Sequence, residues 1–143
     1  MLRQTMNNPE WADIEYHPGC YIRDTGCLII TLANALGVNA AILINTLVQC
    51  GCFMYSNDKA GYLIKNKAQR ICGYNTERVL MSDINDNEAF MIYYHWTEAY
   101  PGHYSNVIKG YRNKVKIFNV QTNREELVNQ SQIYNIFRVT RNK

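Results

Sequence analysis

From Cys27 onward the apolar positions keep a helical period. Leu28, Leu32, Ala35 and Leu36 fall at i, i+4, i+7 and i+8, one stripe of a helix over Cys27–Leu36. Gly37 follows as a C-cap. Asn39 is a good N-cap for a second helix over 39–49, whose stripe is Ala40, Leu43, Ile44, Leu47 and Val48 and which Gly51 closes. A third, shorter helix is predicted over 61–72, ending at Gly73. Residues 1–26 read as irregular, with the turn-forming pieces Asn7-Asn8-Pro9 and His17-Pro18-Gly19.

Beyond Gly73 the period changes. Runs at 76–81, 89–96, 104–109, 114–120 and 136–140 are β-branched or aromatic and separated by turn residues, which predicts strands. In the second run Phe90, Ile92, Tyr94 and Trp96 share one face, and Met91, Tyr93 and His95 the other. The short connection 110–113 predicts an antiparallel hairpin between the strands on either side. Arg124-Glu125-Glu126 reads as a solvated helix start. Helices followed by strands is an α+β order, with the N-terminal helices packed on an antiparallel sheet.

Composition narrows the picture. A chain of 143 residues predicts one domain over 1–143 with a proper hydrophobic core. The net charge of +3 is scattered along the chain, which disfavours nucleic-acid binding, since that needs a concentrated basic face. Between Thr25 and Asn57 no residue is charged, but polar residues and Gly37 interrupt the apolar run. Two buried helices account for it better than a membrane span. The opening MLRQTMNNPEW has no apolar leader core, and the five cysteines are odd in number. Both predict cytoplasmic synthesis and reduced thiols. Cys50-Gly51-Cys52 lacks a second ligand pair at zinc spacing, so neither a metal nor a cofactor is expected.

The candidate chemistry centres on Cys27. A cysteine in the first turn of an apolar helix meets unpaired amides and the positive end of the helix dipole. That environment favours a thiolate nucleophile. Gly26 before it would let a substrate carbonyl approach, and the Cys27 amide would line an oxyanion hole. The competing reading is a buried cysteine that only caps a core helix. Downstream, His103 stands at a strand start just after Pro101-Gly102, and Asn119 ends the next strand. Cys, His and Asn in that order supply a nucleophile, a base and an orienting group. His95, mid-strand among aromatics, reads as a packed residue, and His17 as part of an exposed turn. Cys20, Cys50, Cys52 and Cys72 read as structural thiols. Trp11 is either a core anchor or a wall of the substrate cleft.

The stretches Gln4 to Ala12 and Gly26 to Gly37 resemble the C39-like branch of papain-fold cysteine peptidases. That family has a Q-x-D-P-x-W-like opening and a G-C-x-x-T-S-L-A-M-x-L helix. Gly102-His103-Tyr104 resembles its G-H-aromatic motif, and Phe118-Asn119-Val120 sits where an aspartate-proline is usual. The resemblance implies a papain-like fold and hydrolysis of an amide bond through a thioester acyl-enzyme. The catalytic residues would be Cys27, His103 and Asn119, with Gln4 as oxyanion donor and Trp11 and Tyr104 against the substrate. It implies a peptide or cell-wall peptide as substrate, and single-domain relatives in bacteria and phages that serve in virion or lysis machinery. Three departures stand out. Asn119 replaces an aspartate, Ala33-Asn34 replaces the usual Ala-Met, and Tyr21 occupies the position of the oxyanion glutamine six residues before Cys27. The second functional reading is therefore a catalytically inactive interaction or virion protein on the same fold.

Overall fold

The computed structural model describes residues 1–54 and 62–142. Two short strands, β1 (Glu15–His17) and β2 (Cys20–Tyr21), form a hairpin, and a single turn of helix, α1 (Ile22–Thr25), follows. The N-terminal region predicted to be irregular thus carries structure. Its elements are too short to show a period, and His17 lies half-buried in β1 rather than in an exposed turn.

Helix α2 (Cys27–Leu36) ends where Gly37 adopts φ 70°, a left-handed conformation that costs glycine nothing. Helix α3 (Ala40–Gln49) begins at Asn39, whose side chain accepts bonds from the amides of Ala41 at 2.9 Å and Ile42 at 3.4 Å. The two helices meet at a bend of 117°. Among the described residues no single helix is long and apolar enough to cross a membrane. Of the predicted α3 stripe, Ala40, Leu43, Ile44 and Leu47 are buried while Val48 faces outward. A two-residue pair, β3 (Phe53–Met54) and β4 (Tyr62–Leu63), precedes α4 (Lys65–Cys72), which Gly73 closes at φ 68°. Gly61, where the third helix was expected to begin, lies outside the described residues.

The rest of the chain builds a six-stranded antiparallel sheet in the order β5-β10-β6-β7-β8-β9. Its strands are β5 (Tyr74–Val79), β6 (Ala89–Tyr94), β7 (His103–Gly110), β8 (Lys114–Asn119), β9 (Arg124–Asn129) and β10 (Ile133–Arg141). The hairpin predicted at 110–113 joins β7 to β8. The supposed helix start at Arg124 is instead the edge strand β9. Asn123, at φ 60°, turns the chain back on β8, so Arg124, Glu126 and Val128 share a face with Asn119, Ile117 and Val115. His95 and Trp96 lie past the end of β6 rather than within it.

Helix α2 packs across β6, β7 and β10. One apolar cluster fills this helix–sheet space and includes Ile30, Leu32, Ala33, Ile44, Met91, Phe118 and Val139. A second lies on the other sheet face around Phe90, Ile92, Tyr94, Ile117 and Ile136, with Met81, Ile84 and Trp96 closing over it. The predicted split of the 89–96 run between two faces therefore holds along β6 from Phe90 to Tyr94, and Trp96 beyond it stays on the side of Tyr94. The N-terminal arm is stitched to both halves. The Met6 amide donates to Val120 O at 2.8 Å, and the Leu2 amide to Asn34 O at 3.2 Å.

Candidate active site

Cys27 opens α2 as a half-buried residue that forms no disulfide. The glycine before it is dictated by packing. A Cβ on Gly26 would lie 2.7 Å from Ile22 O and 2.9 Å from Ile22 Cα, both backbone atoms of α1. The close approach that Gly26 permits is therefore between two helices rather than with a substrate. Burial pushes the Cys27 thiol up, against the pull of the amides of Tyr104, Leu28 and Cys27 itself. The helix start was expected to yield a thiolate. Desolvation by the apolar surroundings outweighs the three amides, so the resting group is a neutral thiol. The Tyr104 amide belongs to the residue after His103, so the start of β7 meets Cys27 directly.

His103 and Asn119 come together from neighbouring strands. His103 Nε2 lies 3.0 Å from Asn119 Oδ1. The Gln121 amide also donates to Asn119 Oδ1, at 2.9 Å, which identifies this atom as the oxygen. Nε2 must then carry the proton, and Nδ1 is left with its lone pair. Among the described residues that buried Nδ1 has no hydrogen-bond partner. The ring has no solvent exposure. Trp96 stacks on it at 4.7 Å and 25°, Tyr94 meets it edge-on at 5.7 Å, and Tyr100 stands 6.0 Å away. Burial lowers the His103 pKa, while the bond to Asn119 and the charge of Glu126 act the other way.

A cleft of about 150 Å³ opens at Cys27, with largely apolar walls that include Tyr16, Phe53, Tyr93, Gly102 and Tyr104. Tyr93 lies between Tyr104 at 4.6 Å and Tyr134 at 5.3 Å. A side chain on Gly102 would overlap the Tyr93 hydroxyl, so the glycine before His103 makes room for this ring. Burial pushes the Tyr104 phenol up to about 12, which keeps it neutral beside the cysteine.

Two other expected residues stand elsewhere. Gln4 sits at the far end of α2, its Nε2 donating to Val38 O at 2.8 Å and its Oε1 accepting from the Ala40 amide at 2.7 Å. With both ends engaged about 15 Å of helix away from Cys27, it is not an oxyanion donor. Trp11 is buried in the core and donates from Nε1 to Thr5 O at 2.7 Å, so it is the anchor and not a cleft wall. Conversely, two neighbours of the His–Asn pair were not among the expected site residues. Trp96, read from the alternation as sharing a face with Tyr94, lies on that side and stacks on His103. Glu126 accepts from Asn119 Nδ2 at 3.0 Å, and the alternation of the edge strand was its one local signal. Among the described residues no group of three or more His, Cys, Asp or Glu side chains is placed to hold a metal ion.

At the level of sequence, no family model and no curated protein matches this chain. Among solved structures it is similar to the peptidase domain of Streptococcus ComA, a bi-functional ABC transporter involved in a quorum-sensing pathway. The superposition has a TM-score of 0.54 at 16% identity and covers 87% of this chain and 95% of the other. The likeness supports a C39-like fold, with helices and an antiparallel sheet arranged as in that peptidase domain. At this identity the likeness is one of architecture, helices on an antiparallel sheet, with Cys27, His103 and Asn119 argued from this chain's own geometry.

Proposed function

We propose that this chain is a papain-like cysteine peptidase in which Cys27 attacks an amide carbonyl, His103 Nδ1 takes the thiol proton, and Asn119 orients the imidazole. The observation that carries this reading is the His103–Asn119 bond at 3.0 Å, which leaves Nδ1 unpartnered in a buried ring next to the residue whose amide meets Cys27. Because thiol and imidazole both rest neutral, the proton moves during attack rather than beforehand. Sγ bonds to the carbonyl carbon, Nδ1 accepts the thiol proton, and the imidazolium returns it to the leaving amine. Water then hydrolyses the thioester. The Cys27 backbone amide serves the oxyanion. The apolar, aromatic cleft favours a peptide with apolar or small side chains next to the scissile bond.

The absence of Gln4 from the site favours a second reading, an inactive interaction protein on the same fold. One experiment separates the two. The protein is mixed with an activated ester of an N-acyl amino acid, quenched in acid, and its five cysteines are mapped by mass spectrometry. Acylation of Cys27 ahead of the others, abolished in His103→Ala, supports the peptidase. Acylation no faster than at exposed Cys50, or unchanged in His103→Ala, rules it out and leaves the interaction protein.

A further inference from the structure

We propose that Glu126 is a positioning residue for the catalytic pair: it locks the Asn119 amide and supplies the negative charge that an asparagine in this place lacks. This rests on the reading of His103 as the general base.

Glu126 and Asn119 are diagonal neighbours on one face of the β8–β9 hairpin, where side chains two residues out of register still reach each other. Asn119 Nδ2 donates to Glu126 Oε1 at 3.0 Å, and Thr122 Oγ1 donates to Glu126 Oε2 at 2.7 Å. Both carboxylate oxygens therefore accept, and the group is held from two sides. The two ends of the amide are fixed by opposite demands. Oδ1 accepts from the Gln121 amide at 2.9 Å and from His103 Nε2 at 3.0 Å. If the amide flipped, its NH2 would face two donors while its oxygen faced a carboxylate. Glu126 and the Gln121 amide thus hold the Asn119 amide from its two ends, and with it the tautomer of His103 that leaves Nδ1 free to act as base.

The charge matters separately. Neighbouring Glu125 points to the opposite face and is ion-paired with Arg3 at 2.8 Å and Lys116 at 3.2 Å. Among the described residues no cation pairs with Glu126, so no ion pair offsets its charge on the side of the imidazole. The other groups facing His103 are the aromatic rings of Tyr94, Tyr100 and Trp96. Glu126 is the one charge acting on the ring that opposes the effect of burial. A family aspartate would place its charge against the imidazole; here the charge stands one amide further out and works through Asn119.

The test uses four forms of the full chain: wild type, Glu126→Gln, Asn119→Asp, and the double variant. The titration and tautomer of His103 are followed by 15N NMR of the imidazole, and Cys27 acylation is followed against pH. Glu126→Gln keeps the shape but not the charge. The His103 midpoint should move downward, and acylation at pH 7 should slow roughly tenfold, part of what a positioned base supplies. Asn119→Asp alone sets two carboxylates against each other and should impair the site. In the double variant carboxylate and amide have changed places. The carboxylate on β8 faces the imidazole and the amide on β9 can donate to it, so both readouts should recover. Glu126→Gln with an unmoved midpoint and tautomer overturns the proposal, as does a double variant no better than Asn119→Asp. If the midpoint moves as stated but no variant, wild type included, acylates Cys27, the role of Glu126 stands and the peptidase reading alone fails.

Discussion

Replacing Asn34 by leucine should unfasten the joint that holds α2 against the sheet and the N-terminal arm. Asn34 has no solvent exposure and is the hub of a polar cluster. Its Oδ1 accepts from the Gln4 amide at 2.8 Å and Gln4 Nε2 at 3.2 Å. Its Nδ2 donates to Gln4 O at 3.0 Å and to Asn106 Oδ1 at 2.9 Å. Asn106 continues the chain by donating to Thr31 O at 2.9 Å. Leucine fills the volume but makes none of these bonds. Gln4 Nε2 keeps Val38 and Asn106 Nδ2 keeps Thr31, whereas the Gln4 N–H, the Gln4 carbonyl and Asn106 Oδ1 lose their partners. A buried group left without a partner costs about 1–3 kcal/mol. Gln4 is only half-buried, so the lower end applies to its two groups and the sum is about 3–5 kcal/mol. Against a whole-domain stability of about 5–15 kcal/mol this is large, and it corresponds to a fall of about 10 °C in Tm. Urea unfolding followed by circular dichroism measures it, with an unchanged m-value confirming that the native state is compared with like. Asn34→Leu combined with Asn106→Leu removes both ends of the 2.9 Å bond, so the pair should cost less than the sum of the singles by about 1 kcal/mol. A loss below about 1 kcal/mol for Asn34→Leu, or strict additivity in the double variant, would refute the reasoning.

Three further outcomes follow from the site. The folded His103 binds its proton less readily than the unfolded side chain, whose pKa is about 6.5. As pH falls below 6.5 the unfolded state therefore gains protons that the folded state refuses, and stability declines. Unfolding free energies between pH 8 and 5 should show that decline in the wild type, and a shallower one in His103→Phe. Trp96→Ala opens the His103 ring to water, so its midpoint should rise towards 6.5 in an NMR titration; an unchanged midpoint would mean that Trp96 is not what keeps the ring dry. Gly26→Ala forces a Cβ onto the backbone of Ile22, an overpacking worth about 1–3 kcal/mol that calorimetry would register; a Tm equal to wild type would contradict the tight α1–α2 contact.

Local rules made part of this protein legible from its residues. The helix Cys27–Leu36, the Asn39 cap and the closing Gly37 and Gly73 need nothing beyond their own neighbours, and each formed as read, although the helix buries Ile29, Ile30 and Ala33 more deeply than the Leu28 and Ala35 of its predicted stripe. The hairpin at 110–113 formed too, and each predicted run falls on a strand. The runs at 76–81 and 89–96 overshoot strands that end at Val79 and Tyr94, because strand propensity acts over a few residues while strand ends depend on pairing. Cys27, His103 and Asn119 were singled out by residue type and place, at a helix start, a strand start and a strand end. The thiol's protonation was not legible, since it depends on which side chains surround the sulfur. Gln4 was misplaced because its partners lie some thirty residues away across α2, and satisfying them held it there. Glu126 was read as part of a helix start because three charged residues in a row carry no sign of which one faces inward. Only pairing with β8 turns Glu125 outward to Arg3 and Lys116 and Glu126 inward to Asn119. Periodicity and capping are short-range, so the sequence by itself determined the elements and the nucleophile, base and orienter candidates. Burial, charge and the partner of a buried amide depend on what distant segments bring to the same place, and only the tertiary structure decided those.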